Sequence, residues 1–268
     1  MNRPRAGYYL SAMLTSLPLG FEAACSQAAA LGFAHVDIVG LSNRPEQHRE
    51  ALAESGLVVS CAALGRDLAS GQTLDAAALD ARRAALEAVK LQIADAARLG
   101  ATRGYVVPGL DTSTEALDRF ADACIVLADF AGQRMIQLCV EHCPGRALPS
   151  VAATLAWLDK MGQDRLKLLL DVGHCLISQE DPARVIAQAG TRLGYVHLDD
   201  NDGVGDLHWP LLSGQLTEKT LRAALDALWT EGYRGALALE LNPQNPEPVE
   251  ALRQGKLRLE CYLAVTDR

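Results

Sequence analysis

Aromatic side chains make up only 5% of this 268-residue chain, which leaves little material for an aromatic stacking platform. Long apolar runs are missing too. No stretch approaches the ~18 consecutive apolar residues of a membrane span, so no membrane partner is expected. The N-terminal MNRPRAGYYLSAML carries two Arg but is broken by Pro4, Ser11 and Ser16, unlike a leader peptide. Positive charge is in deficit, with 25 Lys and Arg against 33 Asp and Glu, a net charge of -8 and a pI near 5.3. That balance opposes a phosphate backbone, and no nucleic-acid partner is expected. The seven Cys, at 25, 61, 124, 139, 143, 175 and 261, contain no C-x-x-C pair, which points to a reducing, cytoplasmic setting. Neither Gly7-Tyr8-Tyr9 nor Gly203-Val204-Gly205 forms a dinucleotide fingerprint, and no G-x-x-x-x-G-K-[ST] occurs, so nucleotide binding is not expected.

What is present is a rhythm. Apolar runs of strand length alternate with Ala/Leu/Arg-rich segments whose apolar residues recur every three or four positions. Strands are predicted over 8–13, 35–39, 57–62, 104–107, 135–141, 166–171, 194–198 and 236–240. This alternation predicts an α/β chain folded as one (β/α)8 TIM barrel over 1–268, close to the ~250 residues common for that fold. Amphipathic helices are predicted over 74–99, 114–130 and 216–229, with Thr112 and Glu115 as a capping box and Thr217 as an N-cap. Gly32, Gly56, Gly104, Gly194 and Gly235 precede or start strands and are expected to end the preceding helices in a left-handed conformation. The Pro-rich 242–248 reads as a loop over the barrel mouth.

Four of the later runs end on residue types that bind metals: MIQLCVE at Glu141, LKLLLD at Asp171, GYVH at His197 and ALALE at Glu240. The C-terminal end of a barrel strand faces the site, whereas a carboxylate in mid-strand would be buried without a partner. One strand-end Glu alone is an ordinary surface carboxylate. Two of them with an Asp and a His at the same level read as one metal site. Three carboxylates and one imidazole suit Mn²⁺, Zn²⁺, Co²⁺ or Mg²⁺, so one divalent ion with an open position for substrate is expected. In Asp171-Val172-Gly173-His174 a second imidazole follows the strand end and is expected to meet the substrate or the ion. Asp206 and His208, in HLDDNDGVGDLHWPLLSGQL, are further candidates, with simple solvation of a polar loop as the alternative. Arg66, after the third strand, is a candidate for a substrate carboxylate or phosphate, against a surface salt bridge. Cys139 falls inside a strand and reads as core.

DVGH, YVHLDDNDG, DLHWPLLSGQL and the strand ending ALELN resemble the second half of the xylose-isomerase-like barrels, the superfamily of sugar-phosphate isomerases, sugar epimerases and apurinic endonuclease family 2. The likeness covers 135–242, and the first half only through its strand rhythm. It implies a divalent metal on Glu141, Asp171, His197 and Glu240, proton transfer by Glu141 and Glu240, and substrate contact by His174. Asp206 and His208 resemble a D-x-H pair that supplies further zinc ligands in endonucleases of the endonuclease IV type. Those enzymes need two more His at the ends of strands three and four, where this chain has CAALG and VVPGL. A single ion is therefore expected in place of a trinuclear cluster. The expected activity is isomerisation or epimerisation of a small polyhydroxylated carbonyl substrate, a sugar, keto-sugar or keto-polyol. One Glu would take the C–H proton and the other return it through a metal-stabilised enediolate. Dehydration of a keto-polyol on the same site is the alternative; phosphodiester hydrolysis and a non-catalytic ligand-binding barrel come behind it. Helices exposed on a barrel rim make a homodimer the expected assembly.

Overall fold

The computed structural model describes residues 7–264, so Pro4 of the N-terminal reading lies outside the described residues. Strands β1 Tyr9–Met13, β2 His35–Val39, β3 Val58–Ala63, β4 Arg103–Val106, β5 Gln137–Glu141, β6 Leu166–Asp171, β7 Leu193–Leu198 and β8 Ala236–Leu239 pair in chain order. All pairs are parallel, and β8 returns to β1 to close a barrel. The predicted (β/α)8 architecture is the observed one. The fifth strand starts later than predicted, because Met135 turns to φ 61 and stands in solvent before the chain enters the sheet.

Helices α1 Phe21–Ala30, α2 Glu46–Ser55, α3 Leu79–Arg98, α4 Thr114–Gly132, α5 Val151–Met161, α6 Val172–Ile177, α7 Pro182–Ala189, α8 Glu218–Thr230 and α9 Pro248–Ala264 wrap the strands. Thr217 caps α8 as predicted, its hydroxyl accepting from Thr220 N–H at 3.1 Å. At α4 the capping residue is Ser113, not Thr112, because Ser113 Oγ is the oxygen that reaches the free Ala116 N–H. Helix α3 begins at Leu79, later than predicted; Leu74 and Asp75 are buried in the preceding turn. Gly32 and Gly56 do adopt positive φ, as expected, whereas Gly104, Gly194 and Gly235 do not. Gly194 is needed for space instead: a Cβ there would lie 2.6 Å from Cys139 Sγ inside the barrel.

The strands are apolar on both faces, as a parallel sheet under a ring of helices requires. Period-two alternation sends Val36, Ile38, Leu138, Val140, Leu168 and Leu170 outward onto the helices. Met13, Cys61, Tyr105, Cys139, Leu169 and Tyr195 turn inward, with Ala236 and Ala238 leaving room for the two tyrosine rings. Each fully buried Leu or Val contributes about 1.5–3 kcal/mol relative to exposure, so the pattern fixes strand register. That register positions the site. Two residues beyond the inward Cys139, Leu169, Tyr195 and Ala238 come Glu141, Asp171, His197 and Glu240, which the pleat must also turn inward, one layer higher.

All seven Cys are free, six of them buried and Cys261 exposed, consistent with the absence of a disulfide framework. Among the described residues no helix is long and apolar enough to cross a membrane.

Candidate active site

His197 is the centre of the upper layer and is fully buried. Its Nδ1 lies 2.6 Å from Glu240 Oε2, 3.6 Å from Glu141 Oε1 and 4.0 Å from Asp171 Oδ2. One donor atom from each of these four residues falls within 4.8 Å of all the others. The approach of Glu240 to His197 lacks hydrogen-bond alignment: His197 Nδ1, Glu240 Oε2 and Asp171 Oδ2 are all buried without a hydrogen-bond partner. Lone pairs pressed together in this way are expensive unless a common cation takes them. The donor set therefore fits a divalent ion. Asp171 divides its carboxylate: Oδ1 caps α6 by accepting from His174 N–H at 2.9 Å, leaving Oδ2 to the cluster.

Two residues that shape this cluster escaped the sequence reading. Asp37, inward on β2, is fully buried, and its Oδ2 lies 3.4 Å from His197 Nε2. Its Oδ1 accepts from Ser11 Oγ at 2.7 Å and from Tyr195 OH at 2.6 Å. The expectation that a mid-strand carboxylate lacks partners fails here, because the barrel interior brings two hydroxyls to it. The available signal was an acid inside the apolar run HVDIV. His142, next to Glu141, is also buried; its Nε2 accepts from Asp171 N–H at 3.1 Å. Burial and the neighbouring His174 lower its pKa to about 3, so it is neutral.

His174 stands at the edge of the cluster. Its Nδ1 is 2.8 Å from the carbonyl oxygen of His142 and its Nε2 3.1 Å from Asp206 Oδ1. Both partners only accept, so both ring nitrogens carry protons and the group is an imidazolium. Burial works against that charge, but Asp171, Asp206 and Glu141 outweigh it and hold the pKa well above 6.5. His208 Nε2 meets the same Asp206 oxygen at 3.0 Å, and its Nδ1 touches Asp199 Oδ2.

The loop that carries Asp206 and His208 is built, not merely solvated. Buried Asp200 pairs its backbone with Trp209, and its carboxylate accepts from Gly214 N–H at 2.6 Å and Leu216 N–H at 2.8 Å. Asn201 Oδ1 accepts from Leu207 N–H and His208 N–H. The chain between 242 and 248 leans on this loop through Asn242 N–H, which donates to the His208 carbonyl at 2.9 Å.

Above the cluster opens a cavity of about 560 Å³ lined by Glu141, Glu240, His174, Asp206 and His208, among others. Arg66 lines it as well and reaches Glu141 Oε2 at 3.8 Å, rather than forming a salt bridge on the outer surface. Arg146, which the sequence reading passed over, shares that wall and anchors through Nη1 to the Pro108 carbonyl at 3.2 Å. The structure thus brings every sequence-predicted site residue to one end of the barrel. Cys139 is core, as expected. Cys143 instead lines the cavity, with its sulfur close to His174 and Asp206. Three carboxylates, an imidazolium and two guanidiniums converging on one cleft can orient a polar substrate and move protons on it.

A family model for the xylose isomerase-like TIM barrel matches residues 25–260, and the chain belongs to that family. A protein of Streptomyces coelicolor with the provisional name hydroxypyruvate isomerase is 31% identical over 263 residues, spanning 87% of this chain and 89% of its own. A D-psicose 3-epimerase of Enterocloster bolteae is 29% identical over 84 residues, 30% of this chain and 28% of that protein. Among solved structures, a D-allulose 3-epimerase from Methylomonas sp. superposes with a TM-score of 0.81 at 19% identity, covering 97% of this chain and 99% of that one. A 3-keto-D-glucoside 4-epimerase from E. coli gives 0.79 at 18% identity, covering 95% and 99%. At these identities the structures share the fold.

Proposed function

We propose that this chain is an isomerase or epimerase of a small polyhydroxylated carbonyl compound, using one divalent ion on Glu141, Asp171, His197 and Glu240 and proton transfer by the two glutamates. One observation carries the reading: Glu141 and Glu240, from strands separated around the barrel, line the same cavity while both approach His197 Nδ1, at 3.6 and 2.6 Å. When bound, the ion supplies a Lewis acid for negative charge developing beside a carbonyl. The unpartnered lone pairs of Asp171, His197 and Glu240 are the groups it satisfies.

The chain's own residues do the rest. A carboxylate with an ordinary pKa near 4.3 is a weak base toward carbon, so the charge it creates needs preorganised stabilisation. In the metal-free site burial opposes the Glu240 anion, but His197 outweighs it and holds the pKa down; with the imidazole neutral, the ion itself would supply the positive charge that keeps Glu240 basic. Arg66 faces the other glutamate at 3.8 Å, and the His174 imidazolium, its two N–H groups held by the His142 carbonyl and Asp206, gives the cavity edge a fixed positive charge. Arg66 and Arg146 on one cavity favour a substrate with a carboxylate, since planar guanidinium forks match that group. A short hydroxy-keto acid, as in the name of the Streptomyces relative, fits this charge better than a neutral ketohexose.

The test is solvent exchange. Protein loaded with Mn²⁺ is incubated in D₂O with hydroxypyruvate or with D-allulose, and deuterium at the carbon beside the carbonyl is followed by NMR. Faster uptake into the keto acid is expected. No uptake into either substrate by metal-loaded protein overturns the reading.

A further inference from the structure

We propose that Tyr105 is a catalytic residue of the cavity, its phenolic O–H donating to the substrate oxygen on which negative charge gathers as a glutamate removes the neighbouring carbon-bound proton. The inference rests on the proton-transfer reading of Glu141 and Glu240. Tyr105 is buried and turns inward on β4, level with Ala63 on β3 and Cys139 on β5. Of the inner layer, Met13, Ala63 and Tyr105 line the cavity, and of these three Tyr105 brings the hydrogen-bonding side chain. Its ring stands edge-on to that of His197, with centroids 5.3 Å apart and planes at 86°, on the wall that also holds Glu141 and Glu240.

The two tyrosines inside the barrel differ in one respect. Both rings meet His197 at 86°, the Tyr195 centroid at 5.6 Å. Tyr195 OH donates to Asp37 Oδ1 at 2.6 Å, whereas Tyr105 OH is buried with no hydrogen-bond partner. A buried hydroxyl left unpaired is costly, and one that faces a cavity is arranged for a partner that arrives with the ligand. Arg66 is an electrostatic neighbour of this phenol, but a guanidinium carries donors only, so it leaves the phenolic hydrogen without an acceptor. Arg66 also keeps 44% of its side chain exposed on the same wall, and its long stem can swing aside to admit a substrate oxygen.

A phenol, with an ordinary pKa of about 10, is protonated at neutral pH, and burial together with the Glu240 and Glu141 charges pushes Tyr105 further up. It therefore serves as a fixed donor and passes on no proton of its own. The glutamates take and return the carbon-bound proton. The electron pair left behind moves onto the carbonyl oxygen, and a hydrogen bond to that oxygen strengthens as the charge builds. The competing arrangement is a phenol that donates to Glu141 or Glu240 and so steadies the ligands of the ion.

The experiment compares the full parent chain with Tyr105→Phe, both loaded with Mn²⁺; the substitution keeps the ring and removes the hydroxyl. Melting temperature and Mn²⁺ affinity are expected to match the parent, because the lost oxygen has no partner in the protein. With whichever of hydroxypyruvate and D-allulose the parent exchanges, kcat and deuterium uptake from D₂O are expected to fall about 10²-fold, the usual cost of one such donor, while KM stays within about threefold. Glycolohydroxamate, a planar mimic of the enediolate, is expected to bind the variant about 10²-fold more weakly. Parent-like kcat and hydroxamate affinity in Tyr105→Phe overturn the proposal, as does a raised KM at unchanged kcat, which places the hydroxyl on a remote part of the substrate. A weakened Mn²⁺ affinity overturns it in favour of the competing arrangement. Deuterium uptake with neither protein overturns the reading of the glutamates and this inference with it.

Discussion

Asp37 Oδ2 and His197 Nε2 lie 3.4 Å apart in the barrel interior, on the side of the imidazole away from the carboxylate cluster. The two atoms lack hydrogen-bond alignment, but the Asp37 charge beside Nε2 favours the tautomer with its proton there, and that leaves the Nδ1 lone pair facing Glu141, Asp171 and Glu240. A residue on the second strand thereby biases which nitrogen the seventh strand presents.

Replacing Asp37 with Asn should keep the fold but remove the charge that favours this tautomer. Loss of an outer-shell carboxylate typically costs about 10–100-fold in metal affinity. Competition for Mn²⁺ against a fluorescent chelator measures it; equal affinity in parent and variant would show that Asp37 serves only Ser11 and Tyr195.

Glu141→Gln and Glu240→Gln should each lower turnover by about 10²–10⁴-fold, the usual contribution of a positioned acid or base. Each should also suppress deuterium uptake into substrate, because either glutamate would handle the carbon-bound proton. Retained exchange with lost net conversion in one variant would identify which glutamate returns the proton.

Without a metal, His197 and Glu240 stabilise each other as ions. Burial disfavours the His197 cation, but Glu240, Asp37 and Glu141 outweigh it and raise its pKa well above 6.5. Burial likewise disfavours the Glu240 anion, but His197 outweighs it and brings its pKa below 4.5. The histidine contribution is full below its unfolded pKa and is lost as pH rises through the raised folded value. The glutamate contribution is full above its unfolded pKa and is lost as pH falls through the lowered one. EDTA-treated protein should therefore melt highest between about pH 4.5 and 6.5 and weaken above that window, while metal-loaded protein gains, since the ion needs a neutral imidazole. Parallel melting curves for the two forms between about pH 5 and 9 would count against this pairing.

Asp200→Ala should loosen the loop that presents Asp206 and His208. Its buried carboxylate holds the Gly214 and Leu216 amides, and charged hydrogen bonds of this kind contribute about 1.5–3 kcal/mol each. A lower Tm and a raised KM are expected, with protection of the Leu216 amide from hydrogen exchange falling as well.

The four strand-end residues were legible because barrel strands obey a strict two-residue parity, so Glu141, Asp171, His197 and Glu240 could be placed from their apolar runs alone. Asp37 and Asp199 were not, since a buried acid declares its partners only when distant strands close the barrel: Tyr195 stands far along the chain from Asp37. Arg146 was missed for a related reason, as nothing in PGRAL shows that its side chain returns to the Pro108 carbonyl and the cavity wall. The capping residue at Ser113 rather than Thr112 reflects a choice between adjacent hydroxyls that only backbone direction settles.

The metal-capable residues come from β5 to β8, whereas Thr15, Arg66 and Leu110, which also line the cavity, sit in loops after β1, β3 and β4. On the proposed reading the metal and proton-transfer residues lie in the second half of the chain, and the first half adds Thr15, Arg66 and Leu110 to a cavity wall that also holds Arg146 and His174. Exchanging the early loops between relatives should retarget such a barrel while its reactive half travels unaltered, a natural modularity within a chain that has no domain boundary at that point.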